Sequence, residues 1–193
     1  MKDLGRLKYF IGIEILRSEQ GIFMDQKKYV LDLLAGTGMV DCKPADTLMI
    51  VNQKLYMEEK ADLADKGIYQ QMVGKLIYLS HTRPDIAYAI GVVSQFMHQP
   101  QKAHMEAVLR IIRYIKGTAG HGVLFKPNGH LETQLYTDAD WAGDKGNRRS
   151  IAGYFTLVGG NLVTWRSKKQ KVVALSSVQA EFRGIARGIT EVL

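Results

Sequence analysis

Two aspartates, Asp138 and Asp140, stand two residues apart in the segment from Leu131 to Asp144, LETQLYTDADWAGD, and a glutamate, Glu181, follows 43 residues after the first. Side chains alternate along a strand with period two, so both aspartates project from one face and make it strongly anionic. Carboxylates are hard oxygen donors of the kind divalent cations take. Taken alone, Asp138 also reads as a solvated acid at a strand end. Glu181 likewise reads as an acid near a helix start, where it complements the macrodipole. Asp144 reads as a loop acid.

Local pattern predicts the elements that must carry these residues. Leu131 to Trp141 is a β-rich alternating run that breaks at Gly143. A second strand is predicted near Ile151 to Val158, the turn Gly159-Gly160-Asn161 follows, and a third strand begins at Leu162. Ser177 is the predicted N-cap of a helix that runs to the end of the chain and holds Glu181 near its first turn. Upstream, Lys8 to Arg17 and Ile22 to Met24 are two β-rich runs joined by Ser18-Glu19-Gln20-Gly21, a hairpin signal. Gln26 to Leu34 has helical spacing and ends near Gly36 and Gly38, and Val40 to Lys66 is an irregular connector. Three helices follow: Tyr69 to Ser80, one started by Arg83-Pro84-Asp85 with Pro84 at its first position, and Ala103 to Lys116. Their apolar stripes read as ordinary core and should pack on one another. Val123-Leu124-Phe125 is a short strand before the turn Pro127-Asn128-Gly129. The class is α+β, in three stretches: 1–65, 66–130 and 131–193.

At 193 residues and 46% hydrophobic the chain has material for a real core. No apolar run reaches the roughly 18–20 residues of a membrane span, so no membrane partner is expected. The N-terminus MKDLGRLKYFIGIEIL carries polar residues every few positions and no cleavage pattern, so no secretory leader is expected. One cysteine, Cys42, excludes an internal disulfide and fits an intracellular setting, cytoplasm or nucleus. His81, His98 and His104 are too scattered for a metal cluster. The net charge of +7 is concentrated. Lys145, Arg148, Arg149, Arg166, Lys168, Lys169 and Lys171 lie in a stretch without an acid, and the other 19 basic residues balance the 19 acids. That stretch is a candidate nucleic-acid surface. A solvated basic hairpin without a partner is the plainer reading.

The motifs YFIGIEI, YQQMVGKLIYLSHTRPDIAYAIGVVSQFM, YTDADWAGDKGNRRSIAGY, TWRSKKQKVVALSS and QAEF together resemble the Pol polyprotein of copia-type LTR retrotransposons, over nearly the whole chain. The resemblance implies a fragment that runs from the end of reverse transcriptase into ribonuclease H. Residues 1–65 would be the C-terminal hairpin, helix and connector of reverse transcriptase, and 66–130 its helical thumb and connection. Residues 131–193 would be a C-terminally truncated ribonuclease H-like domain, a mixed sheet of three strands with the first helix. The resemblance implies that Asp138 would bridge two Mg²⁺ ions and Glu181 would hold one of them, the first half of a four-carboxylate site that cleaves RNA in RNA–DNA hybrids. Asp140 lies on the same face but outside that core set. Ions about 3.5–4 Å apart activate the attacking water and stabilise the leaving oxygen.

The family's third and fourth acids would lie beyond Leu193, and the polymerase Tyr-x-Asp-Asp turn before Met1, an internal methionine serving as a start. Neither polymerase activity nor unaided nuclease activity is expected. Gln179 departs from relatives that carry a further acid there. The implied partners are an RNA–DNA hybrid and the rest of a Pol polyprotein. Two other readings stand beside this one: a non-catalytic nucleic-acid-binding module that uses the basic stretch, and a functionless transposon remnant that melts broadly.

Overall fold

The computed structural model describes residues 6–50, 55–144 and 146–193, so Lys145 of the basic stretch lies outside the described residues. Strands β1 (Tyr9–Phe10) and β2 (Ile13–Ser18) pair antiparallel around Ile11 and Gly12, whose φ angles are 49° and 83°. The run Lys8 to Arg17, expected as one strand, is therefore two. Left-handed backbone reverses the chain there, freely at Gly12 and at some steric cost at Ile11. The hydroxyl of Tyr78 donates to the carbonyl of Ile11 and ties this turn to the helices.

Strand β3 (Gly21–Asp25) follows the predicted hairpin, with Ser18 opposite Gly21. Strand β4 (Gly122–Phe125) adds to its far side, giving the order β1-β2-β3-β4. Gly122 is required at that junction, because a Cβ would collide with the carbonyl oxygen of Met24.

Helices α1 (Lys27–Gly36), α2 (Lys66–Leu79), α3 (Ala87–Val93) and α4 (Lys102–Gly117) share one aliphatic core. Val73, Leu76, Leu79, Val93, Val108, Ile111, Ile112 and Ile115 are fully buried in it. Each contributes about 1.5–3 kcal/mol by leaving water. Helix α2 begins earlier than expected because Asp65 caps it, accepting from the Ile68 amide at 2.8 Å. Pro84 starts a 3₁₀ turn, Pro84–Ile86, that leads directly into α3.

Strands β5 (Thr133–Asp140), β6 (Ile151–Val158) and β7 (Asn161–Lys169) form a second sheet in that order. It is antiparallel throughout, where a mixed sheet was expected. Each strand follows its neighbour through a local connection, and a parallel pair needs a long crossover. Helix α5 (Ser177–Val192) covers one face through Ala180, Gly184 and Gly188. Its N-cap is Ser176 rather than Ser177. The Ser176 hydroxyl accepts from the Gln179 amide at 3.2 Å, and the Gln179 side chain accepts from the Leu175 amide at 2.6 Å. Glu181 therefore sits in the second turn of the helix.

The two halves meet where Gly91 of α3 lies against the Ser167 carbonyl and the Trp165 indole donates to the Ser80 carbonyl at 2.9 Å. Among the described residues the fold is α+β, with five helices and two antiparallel sheets. No helix among them is long and apolar enough to cross a membrane.

Candidate functional site

Strand β5 is the outer strand of its sheet, so alternate amides face an open edge. Leu135, Thr137 and Ala139 turn toward α5, where Leu135 and Thr137 meet Gly188 and Ala139 meets Gly184. Asp138 and Asp140 therefore leave the strand on the opposite face, together with Tyr136. Both aspartates are exposed. Opposite Asp138 in the register stands Gly153, which adds no side chain beside the carboxylate.

Glu181 reaches the same strand from the helix side. Its Oε1 accepts from the Ala139 amide at 3.3 Å, so its carboxylate is held at the backbone of the residue that follows Asp138. The small face of α5 permits this approach. A Cβ at Gly188 would lie 2.8 Å from the Thr137 methyl group. Helix and strand are packed at near-minimal separation, and the two acids approach the β5 edge from opposite faces. Asp138 and Glu181 thus meet the strand from opposite sides of the sheet, and among the described residues no group of three or more histidines, cysteines or acids is arranged to hold a metal ion.

Asp140 is engaged locally. Its carboxylate folds over Gly143, where a Cβ would collide with it, and Ala142 takes a φ of 53° in the same turn. Trp141 donates from its indole to the Ala174 carbonyl at 3.0 Å and pins the segment before α5 to the end of β5.

The basic residues divide between the two faces. Arg166 and Lys168 pair with Tyr154 and Ala152, so they lie on the α5 side and are exposed. Burial first, then Glu191, raises the Tyr154 pKa above its ordinary value, while Arg166 opposes the shift. Lys169 lies on the other face, where its ammonium meets Asp144 at 2.6 Å with both side chains largely covered. Asp144, read from sequence as a loop acid, thus neutralises one candidate cation. Arg148, with a φ of 57°, and Arg149 sit in the β5–β6 loop, and Lys171 is exposed just after β7.

One forked ion pair was not anticipated. Arg83 is 1% exposed, and its guanidinium donates to both oxygens of Asp85 at 2.9 and 2.7 Å. It also donates to the carbonyl and hydroxyl of Thr118 at the end of α4. Burial pushes the Asp85 pKa up, but Arg83 and the Tyr114 hydroxyl outweigh it, and the net shift is downward. This is an architectural clamp within the motif HTRPDIAYA; only an aspartate two residues after an arginine hints at it in the sequence.

The fold and its edge site thus define an α+β chain in which a helix delivers a carboxylate to an open strand beside a second acid. The chain is 44% identical over 191 residues to the retrovirus-related Pol polyprotein from transposon RE1 of Arabidopsis thaliana, covering 99% of this chain and 13% of that protein. It is 41% identical to the retrovirus-related Pol polyprotein from transposon TNT 1-94 of Nicotiana tabacum, across 94% of this chain and 14% of that protein. An uncharacterized mitochondrial protein of Arabidopsis thaliana is 40% identical across 96% of this chain and 77% of its own length. The chain belongs to the Pol polyprotein family of copia-type retrotransposons. It spans about an eighth of the transposon Pol polyproteins it matches. No family model and no solved structure matches it.

Proposed function

We propose that this chain works within a larger Pol protein as part of a Mg²⁺-dependent ribonuclease H that cuts RNA in RNA–DNA hybrids. The observation that carries the reading is the hydrogen bond from Ala139 to Glu181, which holds a helix carboxylate at the strand residue next to Asp138. On this reading residues 131–193 are a ribonuclease H-like unit, and the preceding residues derive from the end of reverse transcriptase. Asp138 and Glu181 would hold the ion, which when bound would acidify a water and stabilise charge on the phosphoryl oxygens. Asp138 faces solvent over the bare backbone of Gly153, where a phosphate can approach. Glu181 is oriented by the Ala139 amide. Arg148, Arg149, Arg166, Lys168 and Lys171 supply positive charge for the hybrid backbone.

The remaining ligands would come from further Pol sequence. An exposed apolar stripe on α5, with Val178 60%, Phe182 66% and Ile189 47% exposed, suits burial against more polypeptide of that kind. Among the described residues no further acid completes this pair, so the expected result for this chain alone is no cleavage.

A labelled RNA–DNA hybrid with Mg²⁺ tests the reading against three proteins: this chain, a longer Pol stretch, and the longer stretch with Asp138→Asn. Cutting by the longer stretch alone is the expected result. Cutting by the Asp138→Asn protein removes Asp138 from the site. A second reading, binding without chemistry, rests on the exposed pair Arg166 and Lys168. Hybrid binding that weakens steeply with salt, and no cleavage by any of the three, selects it.

A further inference from the structure

A pocket of about 430 Å³, not lined by Asp138 or Glu181, lies between the connector before α2 and the loop between β5 and β6. Tyr56 from the connector and Phe96 from the turn after α3 line it, and Asp144, Asn147 and Lys169 line it from the second sheet. Its volume is within the range of small-ligand sites and admits one nucleotide, not a duplex.

A single imidazole holds one aromatic ring and the backbone of the other. His104 is fully buried and stacks on Phe96, with ring centroids 3.7 Å apart and planes 12° apart. Its Nδ1 accepts from the Gln101 amide at 3.0 Å, which leaves Nε2 as the protonated nitrogen, and Nε2 donates to the Tyr56 carbonyl at 3.1 Å. The Gln101 side chain exchanges two further hydrogen bonds with the backbone of Glu58, at 3.1 and 2.6 Å. His104 therefore sets both the plane of Phe96 and the backbone position of Tyr56.

The other wall is polar and paired. Lys169 meets Asp144 at 2.6 Å, and its ammonium has donors beyond that one contact. The Asn147 side-chain oxygen accepts from the Arg149 amide at 3.2 Å, and its NH₂ supplies two donors. An aliphatic ligand would cover this ion pair without replacing its hydration, which is costly. A bare anion would meet the Asp144 carboxylate. A flat heterocycle with donors and acceptors on its rim satisfies both walls.

We propose that this pocket binds a nucleobase, its faces against Tyr56 and Phe96 and its polar edge against Lys169, Asp144 and Asn147. Arg148 and Arg149 follow Asn147 in the same loop and add positive charge to that side of the molecule. The site needs neither the β5 edge nor a divalent ion, so it goes beyond the cleavage reading. A free nucleotide and an unpaired base in a strand present the same group.

The test is 2-aminopurine fluorescence with the full chain and no divalent ion. One probe is 2-aminopurine riboside 5′-monophosphate, and the other is a single-stranded oligonucleotide with one 2-aminopurine. Saturable quenching is expected. Quenching of the oligonucleotide alone assigns the pocket to strands, and quenching of the monophosphate assigns it to free nucleotides as well. Tyr56 is 45% exposed, so Tyr56→Leu leaves the fold in place. It weakens binding about tenfold by removing one stacking face, and Tyr56→Phe restores it. No quenching of either probe, or equal affinity in Tyr56→Leu and the parent chain, overturns the proposal. Both outcomes are independent of Asp138 and Glu181, because the assay involves no cleavage.

Discussion

Single side chains here do opposite things with the same charge. Arg83 is sealed inside with both oxygens of Asp85, whereas Lys168 stands in solvent, and loss of each should be read differently. Arg83→Met leaves the Asp85 carboxylate half-buried without its partner and should cost about 3–5 kcal/mol in a urea unfolding curve. Because the folded Asp85 pKa is lowered, its contribution is present above the ordinary value of 3.8 and is lost as pH falls below it. The parent chain should therefore lose this stability in strong acid, and Arg83→Met should not. Lys168→Ala should leave stability unchanged, weaken hybrid binding a few-fold, and reduce the salt slope by about one. An unchanged slope would remove Lys168 from the interface. At this scale the sequence conveyed residue types well and pairings badly. Asp138 and Glu181 stand out as acids in TDADWAGD and QAEF, but nothing local shows that Glu181 reaches the Ala139 amide or that Lys169 is neutralised by Asp144. That contact joins a loop to the end of a strand 25 residues away.

Among elements, α5 and the connector illustrate two kinds of constraint. The helix owes its closeness to β5 to Gly188, whose added side chain would press on Thr137 and Leu135. Gly188→Val should cost about 1–3 kcal/mol by overpacking. It should also move Glu181 off the Ala139 amide, seen as faster exchange of that one amide; unchanged Ala139 exchange would show that the helix pivots elsewhere. The connector is held by His104, whose pKa is lowered by burial, against smaller opposing effects from the Tyr56 carbonyl and Glu58. An unfolded histidine takes up its proton near pH 6.5 and the folded one lower, so the unfolded state binds more protons in between. Thermal stability should fall as pH drops from about 7 to about 5, before Asp85 titrates, and His104→Gln should flatten that fall. Most element bounds were legible, because periodicity and caps are local: β6 begins at Ile151 as read, and the cap of α5 lies one residue before the predicted Ser177. The break at Ile11 and Gly12 was not, since a two-residue left-handed turn leaves an apolar run unaltered. The β3–β4 pairing was not either, because its partners are far apart in sequence.

At the scale of the molecule, the two halves are unequally built. The helical half buries many full-length aliphatic side chains in one cluster, whereas the second sheet and α5 close on four alanines, Ala139, Ala152, Ala174 and Ala180. Burial stabilises in proportion to apolar area, and an alanine supplies a small fraction of what an isoleucine does. The large apolar residues of α5 contribute little, because Val178, Phe182, Ile185 and Ile189 face outward. The second sheet therefore depends on its seam with the helices, where Trp165 donates to Ser80 and Gly91 admits the β7 backbone. Opening free energies within one protein range from near zero to the global value, and weakly packed units open first. Native-state hydrogen exchange should show the amides of α2 and α4 slowest and those of β5 and α5 opening in a separate, cheaper event. Trp165→Phe removes the indole N–H and some of the ring area, so it should widen that gap by at least about 1 kcal/mol, the net worth of one hydrogen bond. If β5 and α2 instead exchange at one common free energy, and Trp165→Phe lowers both equally, the halves form a single cooperative unit. In that case the seam, and not the alanine cluster, sets the stability of the edge that carries Asp138.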